Sequence, residues 1–226
     1  MTHILLIHGH ASSAESKNQK AVRIALEQRG HTITQFSVQR PVLADGSEQI
    51  VSVTECIRQV VDLVENIEED VVAVGSSQGG ILVAHLCANA LVRAGVYIFG
   101  VVETKQRTLR KCKEVGMTID ALMEGKTVTI TRADGRKVTY TKEWFEDHPI
   151  HDVPSMISQA ACPQLFFAGG KDTSIPPEEV QKGFNAAKNP KKYVLLPESE
   201  HTFAHIPGVA EQIAMHIDRW LAENQL

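Results

Sequence analysis

The chain has 226 residues, of which 43% are hydrophobic and 22% charged, with a formal net charge of −4. That is ample for one α/β domain with a large core; it excludes a disordered chain and argues against a dedicated nucleic-acid surface. The cysteines at 56, 87, 112 and 162 show no metal or redox spacing, and Cys56 and Cys87 read as small buried apolar residues. No stretch approaches a membrane span and no basic leader opens the chain, so the expectation is a cytoplasmic protein.

In chain order, strands and helices alternate. Residues 4–7 form a short apolar strand running into His8-Gly9-His10. Residues 17–29 read as a helix closed by Gly30, and 32–38 as a strand. The helix expected over 53–67 carries apolar residues at 53, 57, 60, 61, 64 and 67. A valine-rich strand follows at 71–74, then an Ala- and Leu-rich helical stretch at 81–94 and a strand at 96–101. The rhythm resumes with a strand at 164–168, a helix at 177–187, a strand at 192–196 and a helix at 209–223. Such alternation predicts a mainly parallel sheet of about six strands, with helices on both faces.

Residues 103–157 break that rhythm. Segments 127–131 and 137–141 alternate polar with apolar residues around Ala133-Asp134-Gly135, a hairpin signal. The basic cluster of 107–113 lacks interleaved aromatics and reads as a solvated helix face. Near it lies the cluster Trp144-Phe145-Glu146-Asp147-His148-Pro149. His148 and His151, flanked by Asp147 and Asp152, imitate a metal site but read better as a helix end and loop; no metal is expected.

The chemistry is concentrated in Gly75-Ser76-Ser77-Gln78-Gly79-Gly80, which joins the strand at 71–74 to a helix. The pattern G-x-S-x-G, at a sharp strand-to-helix turn, projects a serine hydroxyl above the sheet, and the closeness of the two backbones calls for glycine. A serine hydroxyl needs an adjacent base, and the base an orienting carboxylate. Later in the chain, an apolar strand runs into Gly169-Gly170-Lys171-Asp172, and another runs into a loop carrying His201. Both candidates follow the carboxyl end of a strand, where open α/β sheets place their sites. The expected catalytic residues are therefore Ser77, Asp172 and His201. Glu178, Glu179 and Asp152 are rivals for the acid, in helix or loop contexts that read as solvated.

On these residues the chain resembles the α/β-hydrolase superfamily, from about Ile4 to the final helix. The closest likeness is to its small esterases and serine aminopeptidase-like branch. There a G-G-x-D-x-x-x-P-P stretch carries the acid, as at 169–177 here, and H-x-F carries the base, as at His201-Thr202-Phe203. Ser76 departs from the pattern, since many relatives have histidine at that supporting position. The resemblance implies oxyanion-hole N–H groups from His10 and Gln78, with His8 holding its loop. It also implies a cap at 103–157 over a core of 1–102 and 158–226, although the hairpin could instead decorate the domain edge. Trp144, Phe145, Met117 and Met123 are candidates for its substrate pocket, although the Trp-Phe pair could equally pin the cap to the core. Because the chain starts at the strand before the oxyanion loop, a trimmed version of the fold is expected.

The expected function is hydrolysis of a small carboxylic ester through an acyl-enzyme, with no cofactor. The expected partner is a small-molecule ester or related acyl substrate, with neither nucleic acid nor membrane. A thioesterase or a small-peptide or amide hydrolase could use the same groups. A ligand-binding module with a vestigial triad is the non-enzymatic reading. Neither substrate identity nor oligomeric state is legible.

Overall fold

The computed structural model describes residues 2–226, except for the side chains of Ile119 and Met123. In chain order the elements are β1 (His3–Ile7), α1 (Lys17–Glu27), β2 (Thr32–Phe36), β3 (Glu48–Gln49), α2 (Val53–Val64), β4 (Val71–Ser76), α3 (Gly79–Ala88) and β5 (Ala94–Ile98). There follow α4 (Thr104–Glu114), α5 (Ile119–Met123), β6 (Val128–Thr131), β7 (Lys137–Tyr140), α6 (Lys142–Asp147), a 3₁₀ turn (His148–Ile150) and α7 (Val153–Gln159). The chain closes with β8 (Gln164–Gly169), α8 (Pro177–Ala186), β9 (Lys191–Leu196) and α9 (Val209–Glu223).

Two units result. The larger comprises Met1–Ser37, Val61–Val102 and Val153–Leu226; the smaller comprises Val38–Val60 and Glu103–Asp152. The division differs from the one expected at 103 and 157. Residues 38–60 join the smaller unit because β3 pairs with β7, and α7 belongs to the larger. A two-residue strand has no periodicity, so nothing in the sequence announces β3.

The larger unit is built on six strands in the order β2-β1-β4-β5-β8-β9, every neighbouring pair parallel. Its inner strands β1, β4, β5 and β8 are apolar along almost their whole length and almost wholly buried, as a parallel sheet covered on both faces requires. One face carries Ile4, Leu6, Val72, Val74, Val96, Ile98, Leu165 and Phe167, packed with Val22, Ala25 and Leu26 of α1 and with Ile213, Ala214, Ile217 and Trp220 of α9. Each fully buried Leu, Ile or Val contributes about 1.5–3 kcal/mol of transfer free energy. The other face meets α3, which is why α3 is apolar all round. Tyr97 and Phe166 stack there, with ring centroids 4.5 Å apart.

Two expected elements end early for a local reason. The helix α3 stops at Ala88, because Ala90 turns to φ +54° before β5 begins at Ala94. β5 stops at Ile98, because Phe99 takes φ +50°. Because the sheet is parallel, the segments after β1, β4, β8 and β9 all leave from one end of it. The chain steps outward from β1 to β2 and then crosses back to β4, so the topological switch point lies between β1 and β4.

The smaller unit holds a three-stranded sheet, β3-β7-β6. β6 and β7 form the expected hairpin, closed by Arg132 to Arg136 with Gly135 at φ +84°. Thr139 bonds the hydroxyls of Ser47 and Thr129, each at 2.7 Å, linking the three strands. Its core is aromatic: Trp144 packs against Tyr140, Phe145 and His148, at centroid distances of 5.6, 5.1 and 4.7 Å. Among the described residues no helix is long and apolar enough to cross a membrane.

Candidate active site

The site is assembled within the larger unit, at the carboxyl ends of its strands. Ser77 sits in the turn between β4 and α3 at φ +54°, a conformation that costs a non-glycine residue about 1–3 kcal/mol. The surroundings hold it there: its N–H donates to Ile98 O at 3.0 Å, and its carbonyl accepts from Gly80 and Val101. Gly75 and Gly79 are required by space rather than by dihedral angle. A Cβ on Gly75 would stand 2.4 Å from Gly79 O, and one on Gly79 would stand 2.7 Å from Ile7 O.

The loop after β9 brings His201 to this turn, with its Nε2 3.1 Å from Ser77 Oγ. Its Nδ1 lies 2.7 Å from Asp172 Oδ2. The Asp172 side chain is fully buried, and its other oxygen accepts the N–H groups of Ser174 and Ile175, both at 2.8 Å. A carboxylate fixed this way makes Nδ1 the protonated ring nitrogen and leaves Nε2 as the acceptor for the serine hydroxyl. The structure therefore brings Ser77, His201 and Asp172 into one hydrogen-bonded row. The rivals lie elsewhere: Asp152 and Glu178 are exposed. Glu179, expected to be solvated, is instead buried at 3% exposure, its carboxylate accepting the Val102 N–H at 3.0 Å. A first-turn glutamate gives no sequence sign that its helix face will turn inward.

His10 and Gln78, the expected oxyanion-hole residues, flank the switch point, one after β1 and one heading α3. They are joined through their side chains: His10 Nδ1 lies 2.8 Å from Gln78 Oε1. Gln78 stands at the N-cap of α3, the end of that helix that carries its positive partial charge. His8 turns back on its own loop, Nδ1 donating to Gly9 O at 2.7 Å, with its ring stacked near Phe36.

The residues expected to line a pocket are placed differently. Trp144 and Phe145 are 1% and 4% exposed in the aromatic core of the smaller unit, and Met117 is buried as well. Rings packed on one another at these distances are the core of that unit and offer a substrate almost no open surface. Met123 lies outside the described side chains. His148 is buried too, its Nδ1 2.9 Å from Thr108 Oγ1, and burial pushes its imidazole down to about 4. Among the described residues, no group of three or more His, Cys, Asp or Glu side chains is placed to hold a metal ion.

Two residues near the row gave no signal in the sequence. Phe99, at positive φ, places its ring 6.5 Å from the His201 ring and edge-on to Phe203 at 5.5 Å. Asn18, in the first turn of α1, hydrogen-bonds the His201 loop. Both act on residues distant in sequence, which no local motif reveals.

No protein-family model matches the chain, and no curated protein sequence matches it. Solved structures do. An esterase, Est1E from Butyrivibrio proteoclasticus, solved with ferulic acid bound, superposes with a TM-score of 0.75 over 99% of this chain and 89% of its own, at 20% identity. The monoacylglycerol lipase of Paleococcus ferrophilus gives 0.73 over 98% and 94%, at 16% identity. Mouse alpha/beta hydrolase domain-containing protein 10 gives 0.73 over 98% and 90%, at 18% identity. The chain has the α/β-hydrolase fold.

Proposed function

We propose that the chain is a serine hydrolase that cleaves a small carboxylic ester through an acyl-enzyme. The observation that carries this reading is the row Ser77–His201–Asp172, at 3.1 and 2.7 Å, on a strained turn of this fold. Ser77 Oγ attacks the ester carbonyl while His201 Nε2 takes its proton. The backbone N–H groups of His10 and Gln78 hold the oxyanion, each such donor being worth about 10²–10³ in rate. His201 then returns the proton to the leaving alcohol, and Asp172 stabilises the imidazolium. A water deprotonated by His201 releases the acid and restores Ser77. Every catalytic group belongs to the chain, and water is the only co-reactant required.

The neighbour solved with ferulic acid and the neighbouring lipase support an acyl substrate with an alcohol leaving group. The test is a panel of p-nitrophenyl esters, short-chain and aromatic, beside acyl-CoA thioesters and aminoacyl anilides, with fluorophosphonate labelling of Ser77. Ester turnover abolished by Ser77→Ala is expected. Faster thiol release would move the reading to a thioesterase. A wild-type chain that neither turns over the panel nor labels at Ser77 would be a binding module on this fold.

A further inference from the structure

The loop that carries His201 runs from the end of β9 at Leu196 to the start of α9 at Val209, without regular structure between them. A catalytic base on such a loop must be held by bonds from outside it. On the Asp172 side, Ser199 O accepts the Lys171 N–H at 2.9 Å. On the other side the bonds come from one residue of α1. Asn18 Nδ2 donates to the carbonyl of His201 itself at 3.2 Å, while its Oδ1 accepts the N–H of Phe203 at 3.2 Å and of Ala204 at 2.9 Å.

These three bonds satisfy both ends of the amide, and only one orientation allows it. Exchanging oxygen and nitrogen would set an NH₂ against two N–H donors and an oxygen against a carbonyl. Asn18 is itself fixed, because Val22, Ala25 and Leu26 anchor α1 in the core of the same unit. Resting on the reading of His201 as the general base, we infer that Asn18 is a positioning residue, whose side-chain amide sets the reach of His201 to Ser77 and Asp172. It touches no reacting atom and acts through the backbone of the histidine it holds.

A small misplacement of a reacting group costs about 10²-fold in rate. Asn18→Ala is therefore expected to lower kcat by about 10- to 100-fold, with KM within about threefold of wild type. Asn18→Asp keeps both accepted bonds but sets a carboxylate oxygen against the His201 carbonyl in place of the donated one, so its kcat should fall below wild type.

The experiment measures kcat, KM and the rate of fluorophosphonate labelling for wild type, Ser77→Ala and both Asn18 variants, with melting curves for each. The expected losses, in folded protein and in kcat rather than KM, support the inference. Folded Asn18→Ala turning over within about twofold of wild type overturns it, even if its melting temperature falls. So does a change confined to KM. Should Asn18→Ala not fold, Asn18→Asp decides: a loss of threefold or more in kcat supports the inference, and wild-type kinetics overturns it. Hydrolysis persisting in Ser77→Ala would instead overturn the reading of Ser77 as the nucleophile and His201 as its base, and the role of Asn18 with it.

Discussion

Each unit of this chain holds a hydroxyl, an imidazole and a carboxylate within hydrogen-bonding reach, and they are wired differently. In the larger unit Ser77 lies 3.1 Å from His201 Nε2, and the opposite ring nitrogen meets Asp172 at 2.7 Å. In the smaller unit the carboxylate collects everything: Asp147 accepts the Thr54 hydroxyl at 2.5 Å and the Thr54 N–H at 3.0 Å, with His151 Nε2 at 3.2 Å. Thr54 Oγ1 and His151 Nε2 are 3.5 Å apart, and the same ring nitrogen faces the acid. The Thr54 hydroxyl donates to the carboxylate and not to the imidazole, and an imidazole using one nitrogen for both partners cannot pass a proton between them. The second set ties Thr54, near the start of α2, to the segment around Asp147. Residue inventory therefore does not make a relay; the order in which the groups are bonded does.

The sharpest way to break this comparison is to remove both hydroxyls. Ser77→Ala should lower kcat by about 10⁴–10⁶, with little change in melting temperature. Thr54→Ala should leave kcat close to wild type while lowering stability, because the half-buried Asp147 carboxylate loses its hydroxyl donor. The acids follow. Asp172→Asn should cost up to about 10⁴ in kcat by favouring the wrong tautomer of His201, whereas Asp147→Asn should be read in melting curves alone. Steady-state kinetics and thermal melts on the four variants check both pairs. A dead Thr54→Ala or a silent Asp172→Asn would show that the two sets had been assigned the wrong way round.

Why one set was legible in the sequence and the other was not has a physical answer. Ser77, Asp172 and His201 lie just past the ends of β4, β8 and β9, and in a parallel sheet every such position comes to the same edge. Their neighbourhood follows from strand direction, which apolar runs disclose. Thr54 and Asp147 meet because α2 begins beside the segment that follows the β6–β7 hairpin, and β3, the strand that brings residues 38–60 into that unit, is too short to leave a pattern. The aromatic pair at 144–145 shows the same limit. The sequence allowed Trp144 and Phe145 to line a pocket or to pin the insertion; their packing on Tyr140 and His148 makes them the core of the smaller unit. The Asn18 bonds to the His201 loop span more than 180 positions, and no periodicity carries information over that distance.

The aromatic core sets the next effect. Trp144→Ala deletes a fully buried ring and should cost about 3–5 kcal/mol, measured by denaturant unfolding. Acid should act on the same unit through His148. Burial depresses this imidazole to about 4, so the unfolded chain binds its proton first as pH falls. Its contribution is complete above pH ~6.5 and is lost progressively toward pH 4, up to about 3 kcal/mol. His148→Gln, which keeps a polar partner for Thr108, should flatten the unfolding free energy between pH 6.5 and 4. An equally steep pH dependence in that variant would place the titrating group elsewhere.

The smallest expected effect returns to the larger unit and separates side chain from backbone. The His10–Gln78 bond joins the two residues whose N–H groups are proposed to hold the oxyanion. His10→Ala and Gln78→Ala each remove that bond and leave both N–H groups on the chain. If the side chains only align the donors, each variant should lose about tenfold or less in kcat, well short of the 10²–10³ that follows loss of a donor. The double variant should lose no more than the larger single loss, because either change already breaks the one shared contact. Purely additive losses in a double-mutant cycle would show that the two side chains act separately and that the 2.8 Å contact has no part in catalysis.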